Sequence, residues 1–384
     1  MKKITNKKKY NTIQEIKKKR YLLENSRKDK VYLNSFSNTS LDDLEYVKKR
    51  PSQSSVSKRI VAPKIFSFIY NTNESLKFFN IFFDAIEQGY TRFDFEMSKI
   101  EDLGIETLLY IISLDKIYNA KEKKIQIKIS NPKKDHLKFK MYVSGFAKYF
   151  TKNLNLKNVD EKTIFPICDG ATNKYNEKDD GETCGEAVEF VKQLIDINKH
   201  KDMSLRLLYT GLAELMQNTD DHAYKDESED NQDKSEDNQD KSEDNKKINP
   251  DDIKRNWYLF AVQLQKGIAF YFFDNGEGIT KTARKSILEK AYGLIQLKQE
   301  KILESTLNGE FRSATKLRNR NKGLPQVNDL LVNNDIISSV ILTNKVLSIY
   351  DGGDTKTRKF KKIDYNFKGS LFVWILADNN EEIK

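Results

Sequence analysis

Hydrophobic positions along this chain recur with two periods. Phe78, Phe79, Phe82 and Ile86 fall on one face of a helical stretch that ends at Gly89, and Leu108, Leu109, Ile112 and Ile117 do the same within Ile105 to Tyr118. Between and after them, Arg92-Phe93-Asp94-Phe95 and Lys124 to Ile129 alternate as strands do, with Asn131-Pro132 closing the second. A helix then leads to Gly145-Phe146. Strand and helix taking turns predict a small α/β layer over residues 59–150. Residues 151–185 are polar, carry glycines and show few periodic apolar positions, so they read as a connector. A second domain is expected over 186–378. It opens with a helix on Val188, Val191, Leu194 and Ile195, continues with a helix through Leu212, Leu215 and Met216, and then supplies strands over 257–263, 267–273, 332–349 and 367–376.

Four polar clusters interrupt this second pattern. Glu214, Asn218 and His222 are spaced four apart, so they stack on one stripe of the helix, beside Asp221. Alone, such a stripe reads as a solvated helix face. The apolar run Tyr271-Phe272-Phe273 ends in Asp274-Asn275-Gly276-Glu277-Gly278-Ile279, where an acid at a strand end meets a Gly-x-Gly turn that lets backbone approach a flat ligand. Lys322-Gly323-Leu324 follows a basic segment. Gly369-Ser370 opens the last apolar strand.

In this order the four clusters resemble the N box and three glycine boxes of the GHKL superfamily of ATP-binding domains, which includes gyrases, heat-shock chaperones, histidine kinases and MutL-type proteins. Glu214 to Tyr224 is also similar to the N box of anti-sigma serine kinases. The resemblance spans roughly residues 186–378. It implies an α+β two-layer sandwich with ATP and Mg²⁺ as cofactors, and roles for individual residues. Asn218 would be the magnesium ligand, and Glu214 would orient or deprotonate the attacking water. Asp274 would accept from the adenine amino group, with Ser370 in place of the usual threonine. Gly276, Gly278 and Ile279 would line the purine, Lys322, Gly323 and Leu324 would face the phosphates, and Asp221 and His222 would lie near them. Residues 280–322 would form the ATP lid. Lid closure often accompanies dimerisation in the superfamily, so a homodimer is implied as well. The earlier layer resembles a STAS-like domain, as in anti-sigma antagonists, but the turn Asp102-Leu103-Gly104-Ile105 lacks the serine that a partner kinase would phosphorylate.

Composition narrows the picture. The chain has 384 residues and a formal net charge of +10, a balance that suits nucleic acid or an anionic surface only weakly, because lysine and asparagine are abundant throughout. Residues 1–58 combine lysine runs with serines and read as a basic flexible arm. From Asp226 to Asp244 a Ser-Glu-Asp-Asn-Gln-Asp-Lys repeat carries ten acidic residues and two lysines, so the insertion 226–250 cannot form a core. Two cysteines and three histidines are too few for a disulfide framework or a zinc site. No apolar run is long enough to cross a bilayer, and none at the N-terminus reads as a signal peptide, so the expected setting is cytoplasmic. The expected activity is Mg²⁺-dependent ATP hydrolysis in which lid closure controls a protein partner. The alternatives are an anti-sigma-like protein serine kinase and a non-catalytic ATP-gated module.

Overall fold

A computed structural model describes residues 57–119, 125–150, 164–171, 180–194, 205–221, 256–264, 267–283, 297–310, 324, 325, 328, 336–352 and 357–377. The chain is a mixed α/β protein. Its first layer comprises β1 (Lys58–Val61), β2 (Ile65–Phe66), α1 (Thr72–Glu87), β3 (Arg92–Glu96), β4 (Asp102–Leu103), α2 (Ile105–Asn119) and β5 (Gln126–Ser130), followed by α3 (Asp135–Val143) and α4 (Ala147–Phe150). β1, β3 and β5 pair in parallel in that order, and β2 pairs in parallel with β4. Parallel neighbours need crossovers, which α1 and α2 provide.

The second unit contains β6 (Ile164–Ala171), α5 (Asp180–Leu194), α6 (Leu205–Asp221), β7 (Asn256–Leu264), β8 (Gly267–Asp274), α7 (Gln299–Leu307), β9 (Ile336–Asp351) and β10 (Thr357–Ala377). Its five strands form an antiparallel sheet in the order β6-β7-β8-β10-β9. Both faces of this sheet are covered. Tyr258, Phe273, Leu342, Leu371 and Val373 join the core of the first layer, whereas Leu259, Phe270, Phe272, Ile341, Phe372 and Trp374 meet α5, α6 and α7. Burial on both faces explains why these strands read as unbroken apolar runs rather than as alternations.

α2 lies between the two sheets, and every residue from Ile105 to Leu114 is buried. A helix with no wet side cannot show an amphipathic stripe. Tyr110 from α2 packs on Phe367, with ring centroids 5.0 Å apart, and on Phe273 at 5.4 Å. The backbone of Lys368 hydrogen-bonds the Tyr110 hydroxyl, and the Lys368 ammonium lies 3.8 Å from the centre of the Phe83 ring of α1.

The segment 151–185, read as a connector, supplies an edge strand. β6 pairs with β7 through a register shift between Phe165 and Cys168, around Pro166. Proline cannot donate to a ladder, and an edge strand with a bulge is where a sheet tolerates it. Lys116 and the Tyr149 hydroxyl both bind Asp169, which ties β6 to the first layer. α5 begins at Asp180, inside that same segment. The arm before Ser57 and the acidic insertion 226–250 lie outside the described residues.

At the start of α2, Glu106 is 2% exposed and accepts from the Ser67 hydroxyl. Loss of hydration pushes its carboxyl pKa above the ordinary 4.5; the Ser67 hydroxyl, backbone N–H groups and the Lys140 charge act the other way. A folded-state pKa raised above the unfolded one favours folding fully below about 4.5, and that contribution is lost as pH rises through the folded value. Glu106→Gln removes the titration. Its melting temperature relative to the parent is expected to rise progressively from pH 4 to pH 8 in thermal unfolding scans. A difference that stays constant with pH would contradict this account.

Candidate functional site

One row of register partners crosses the antiparallel sheet: Gly170 opposite Trp257, Trp257 opposite Asp274, Asp274 opposite Ser370, and Ser370 opposite Thr343. Side chains alternate along a strand, so Asp274 shares a face with Phe272 and Phe270, and Ser370 with Phe372 and Trp374. This is the face covered by α5, α6 and α7. Asp274, Gly276, Gly278, Ile279 and Ser370 are therefore gathered at one end of β8 and β10, on the α6 side.

Interlocking hydrogen bonds hold the turn after Asp274. The Gly276 N–H donates to Asp274 Oδ1 at 2.9 Å, an Asx-type turn that fixes the carboxylate against its own backbone. The Asn256 N–H donates to Asn275 Oδ1 at 2.8 Å. The Ile279 N–H donates to Thr343 Oγ1 at 2.9 Å, and the Thr343 hydroxyl donates to the Gly369 carbonyl at 3.2 Å. Asn344, at φ 48°, donates from Nδ2 to the Glu277 carbonyl at 2.8 Å and accepts from the Thr280 hydroxyl at 2.8 Å.

Two glycines are required by this packing. At Gly278 (φ +88°) a Cβ would lie 2.6 Å from the Asn344 carboxamide, and at Gly369 (φ +105°) it would lie 2.0 Å from the Asp274 carbonyl oxygen. Both conformations are strained for any side chain. Gly369 thus lets β10 close on the residue that carries the carboxylate.

On α6, Leu208, Leu212, Leu215, Met216 and Thr219 form the buried stripe against the sheet, while Glu214 and Asn218 are half-buried at its margin. The two share a face of the helix, one turn apart. Asp221 is the last residue of α6. Leu324 packs against the helix-side core. His222, Lys322 and Gly323 lie outside the described residues, as do most of the basic positions expected in the lid, Arg284, Lys285, Arg312, Lys316, Arg318 and Arg320. Lys281 pairs with Glu277 at 3.1 Å, its side chain largely exposed.

Within 280–322, residues Gln299–Leu307 form α7, with Ile302 buried and Leu303 and Leu307 in the core on the helix side of the sheet, so part of the expected lid is core. The sequence reading missed Thr343 and Asn344. Their signal is a polar pair splitting two apolar runs, Val340-Ile341-Leu342 and Val346-Leu347.

Comparison with protein-family models, with curated proteins and with solved structures finds no match.

The Asp274 carboxylate and the Ser370 hydroxyl stand at paired positions of neighbouring strands, with backbone pressed close at Gly278 and Gly369. Gly369→Ala is expected to destabilise the chain by about 2 kcal/mol or more, through overpacking and backbone strain, measured by urea unfolding. A change below about 0.5 kcal/mol would mean that β10 has slack against Asp274.

Proposed function

We propose that this chain binds ATP with Mg²⁺ on the α6-covered face of its antiparallel sheet and hydrolyses it, with lid closure altering a surface that a protein partner reads. The observation that carries the proposal is the register pairing of Asp274 with Ser370 inside a glycine-walled turn, on the sheet face that also carries the helix bearing Glu214 and Asn218. The GHKL resemblance predicts that those groups share one site, and their common face supports it. In this reading Asp274 accepts from the adenine amino group and gives preference for adenine over guanine. Ser370 supports it through its hydroxyl, and Gly276, Gly278 and Ile279 line the base.

The donor set fits the metal. Mg²⁺ takes oxygen ligands and keeps several waters, so the Asn218 carboxamide oxygen together with phosphate oxygens suffices to hold it. When bound, it neutralises charge on those oxygens. Glu214, one turn before Asn218, accepts the proton of the attacking water. Lys322, Gly323 and Leu324 belong to the phosphate side of the proposal, with Asp221 and His222 beside them.

Phosphotransfer within the chain is disfavoured at the first layer. Thr107, near the turn 102–105, is fully buried and donates to the Phe66 and Gly104 carbonyls, so it does not present an acceptor. A separate STAS-like partner as the phosphate acceptor remains the kinase alternative. Labelled ATP separates the two: label released as free phosphate supports hydrolysis, whereas label on an added partner supports the kinase.

Among the described residues no helix is long and apolar enough to cross a membrane. The proposal includes a cytoplasmic setting and allows a homodimer; a nucleic-acid partner is the disfavoured reading.

Asp274→Ala is expected to weaken ATP binding by about 10- to 100-fold, the loss of one or two hydrogen bonds to the base, read by isothermal titration with and without Mg²⁺. Glu214→Gln is expected to lower turnover by about 10²- to 10⁴-fold while ATP affinity stays within a few-fold. Unchanged ATP affinity in Asp274→Ala removes the base-binding role. Parent-like turnover in Glu214→Gln removes the general base.

A further inference from the structure

β9 doubles back at Asn344. The Gly352 N–H donates to the Ile337 carbonyl at 2.8 Å, and the Ser338 hydroxyl reaches the Tyr350 carbonyl at 3.4 Å. The second half of β9 therefore lies beside the first, and the start of β10 is carried along with it. This brings Arg358, the register partner of Tyr350, close to Ser348 and Ser339, and Ser339 is the register partner of Trp374.

The guanidinium here is in an unusual position. Loss of hydration lowers the Arg358 pKa to about 10, and among the described residues the one influence acting the other way is Tyr350, whose ring centre is 5.8 Å from Cζ. Arg358 makes no ion pair among the described residues. Nη1 donates to Ser348 Oγ at 2.9 Å, Nη2 reaches Ser339 Oγ only at 3.5 Å, and Nε is buried with no partner among the described residues. The indole Nε1 of Trp374, a residue 1% exposed, is likewise buried with no partner. Arg358 as a whole is partly buried, but its Nε is sealed from solvent, and buried donors are ordinarily bonded. The under-used edge of the guanidinium is the Nε–Nη2 fork, which takes the two oxygens of a carboxylate or phosphate side by side.

We infer that Arg358, Ser339, Ser348 and Trp374 form a binding site for a small oxyanion, seated on the Nε–Nη2 edge of the guanidinium. Ser339 and Ser348 flank the anion with hydroxyls that donate as readily as they accept. The indole N–H enters from the neighbouring strand. Trp374 is four residues along β10 from Ser370, about 13 Å at the rise of a strand, so this site is separate from the Asp274 row and does not depend on nucleotide binding there. A phosphate group and a carboxylate offer the same pair of oxygens, and the two are told apart by titration.

The test uses the full chain in chloride buffer at fixed ionic strength, with inorganic phosphate in one arm and acetate in the other, read by melting temperature and by tryptophan emission. A ligand that binds only the folded state raises the melting temperature with its concentration. The parent is expected to show a saturable rise and a matching change in emission with at least one of the two anions, and the responding arm identifies the anion class. Arg358→Met is expected to lose the response entirely. Arg358→Lys keeps the charge but not the fork and is expected to weaken binding at least tenfold. Asp274→Ala is expected to keep the response, which separates this site from the proposed nucleotide site. In chloride alone, Arg358→Met is expected to melt no lower than the parent, because it removes a partly buried charge that no carboxylate among the described residues pairs with. If Arg358→Met does not fold, Arg358→Lys and Ser339→Ala carry the comparison. No saturable response to either anion in the parent, or an undiminished response in the Arg358 variants, would overturn the inference.

Discussion

Burial of the antiparallel sheet on both faces is the constraint on which the rest of the structure depends. β7, β8 and the second half of β10 are apolar along nearly their whole length because one face meets α1 and α2 while the other meets α5, α6 and α7. An apolar strand buried on both sides has few positions where polar groups are tolerated, and one set of them stands in the row that holds Asp274, Ser370 and Thr343. Each is satisfied locally or faces a turn whose backbone is tied down. The same double burial explains why α2 has no wet face and why Glu106, at its first turn, is held as a buried acid.

The segment of β10 around Phe367 to Ser370 belongs to both layers. Its register with β9 is irregular between Lys362 and Ser370. Phe367 is gripped by Phe68 and Tyr110, and Asn73 bonds Asp364 from α1. Two residues beyond Phe367, Gly369 presses against the Asp274 carbonyl. A displacement of the first layer would therefore be felt at the carboxylate with few intervening contacts, since packed cores transmit strain. In the proposed reading, this is where a partner acting on the first layer would reach the nucleotide.

Much of this was legible in the sequence because the determinants are local. β7 and β8 follow from unbroken apolar runs, the turn after Asp274 from its two glycines, and the inward stripe of α6 from helical spacing. The remainder depends on groups distant in sequence. β6 was hidden because Pro166 and its bulge break the alternation in an edge strand. α7 was hidden inside a basic stretch, where Ile302, Leu303 and Leu307 are few and only the sheet reveals their common face. Thr343 and Asn344 look like a polar gap until they are seen clasping a turn some 64 residues earlier in the chain. Arg358 gave no signal at all, since its place beside Ser339 and Ser348 exists only once β9 has turned back on itself.

Hydrogen exchange read peptide by peptide, with and without ATP and Mg²⁺, bears most directly on the central claim that the Asp274 turn, the Gly369–Ser370 corner and α6 line a single site. The account predicts that nucleotide slows exchange at all three together, around residues 274–280, 369–371 and 214–221, with the far edge of the sheet at β6 unchanged. Protection confined to one of these segments, or appearing on the α1 and α2 side of the sheet without them, would contradict it.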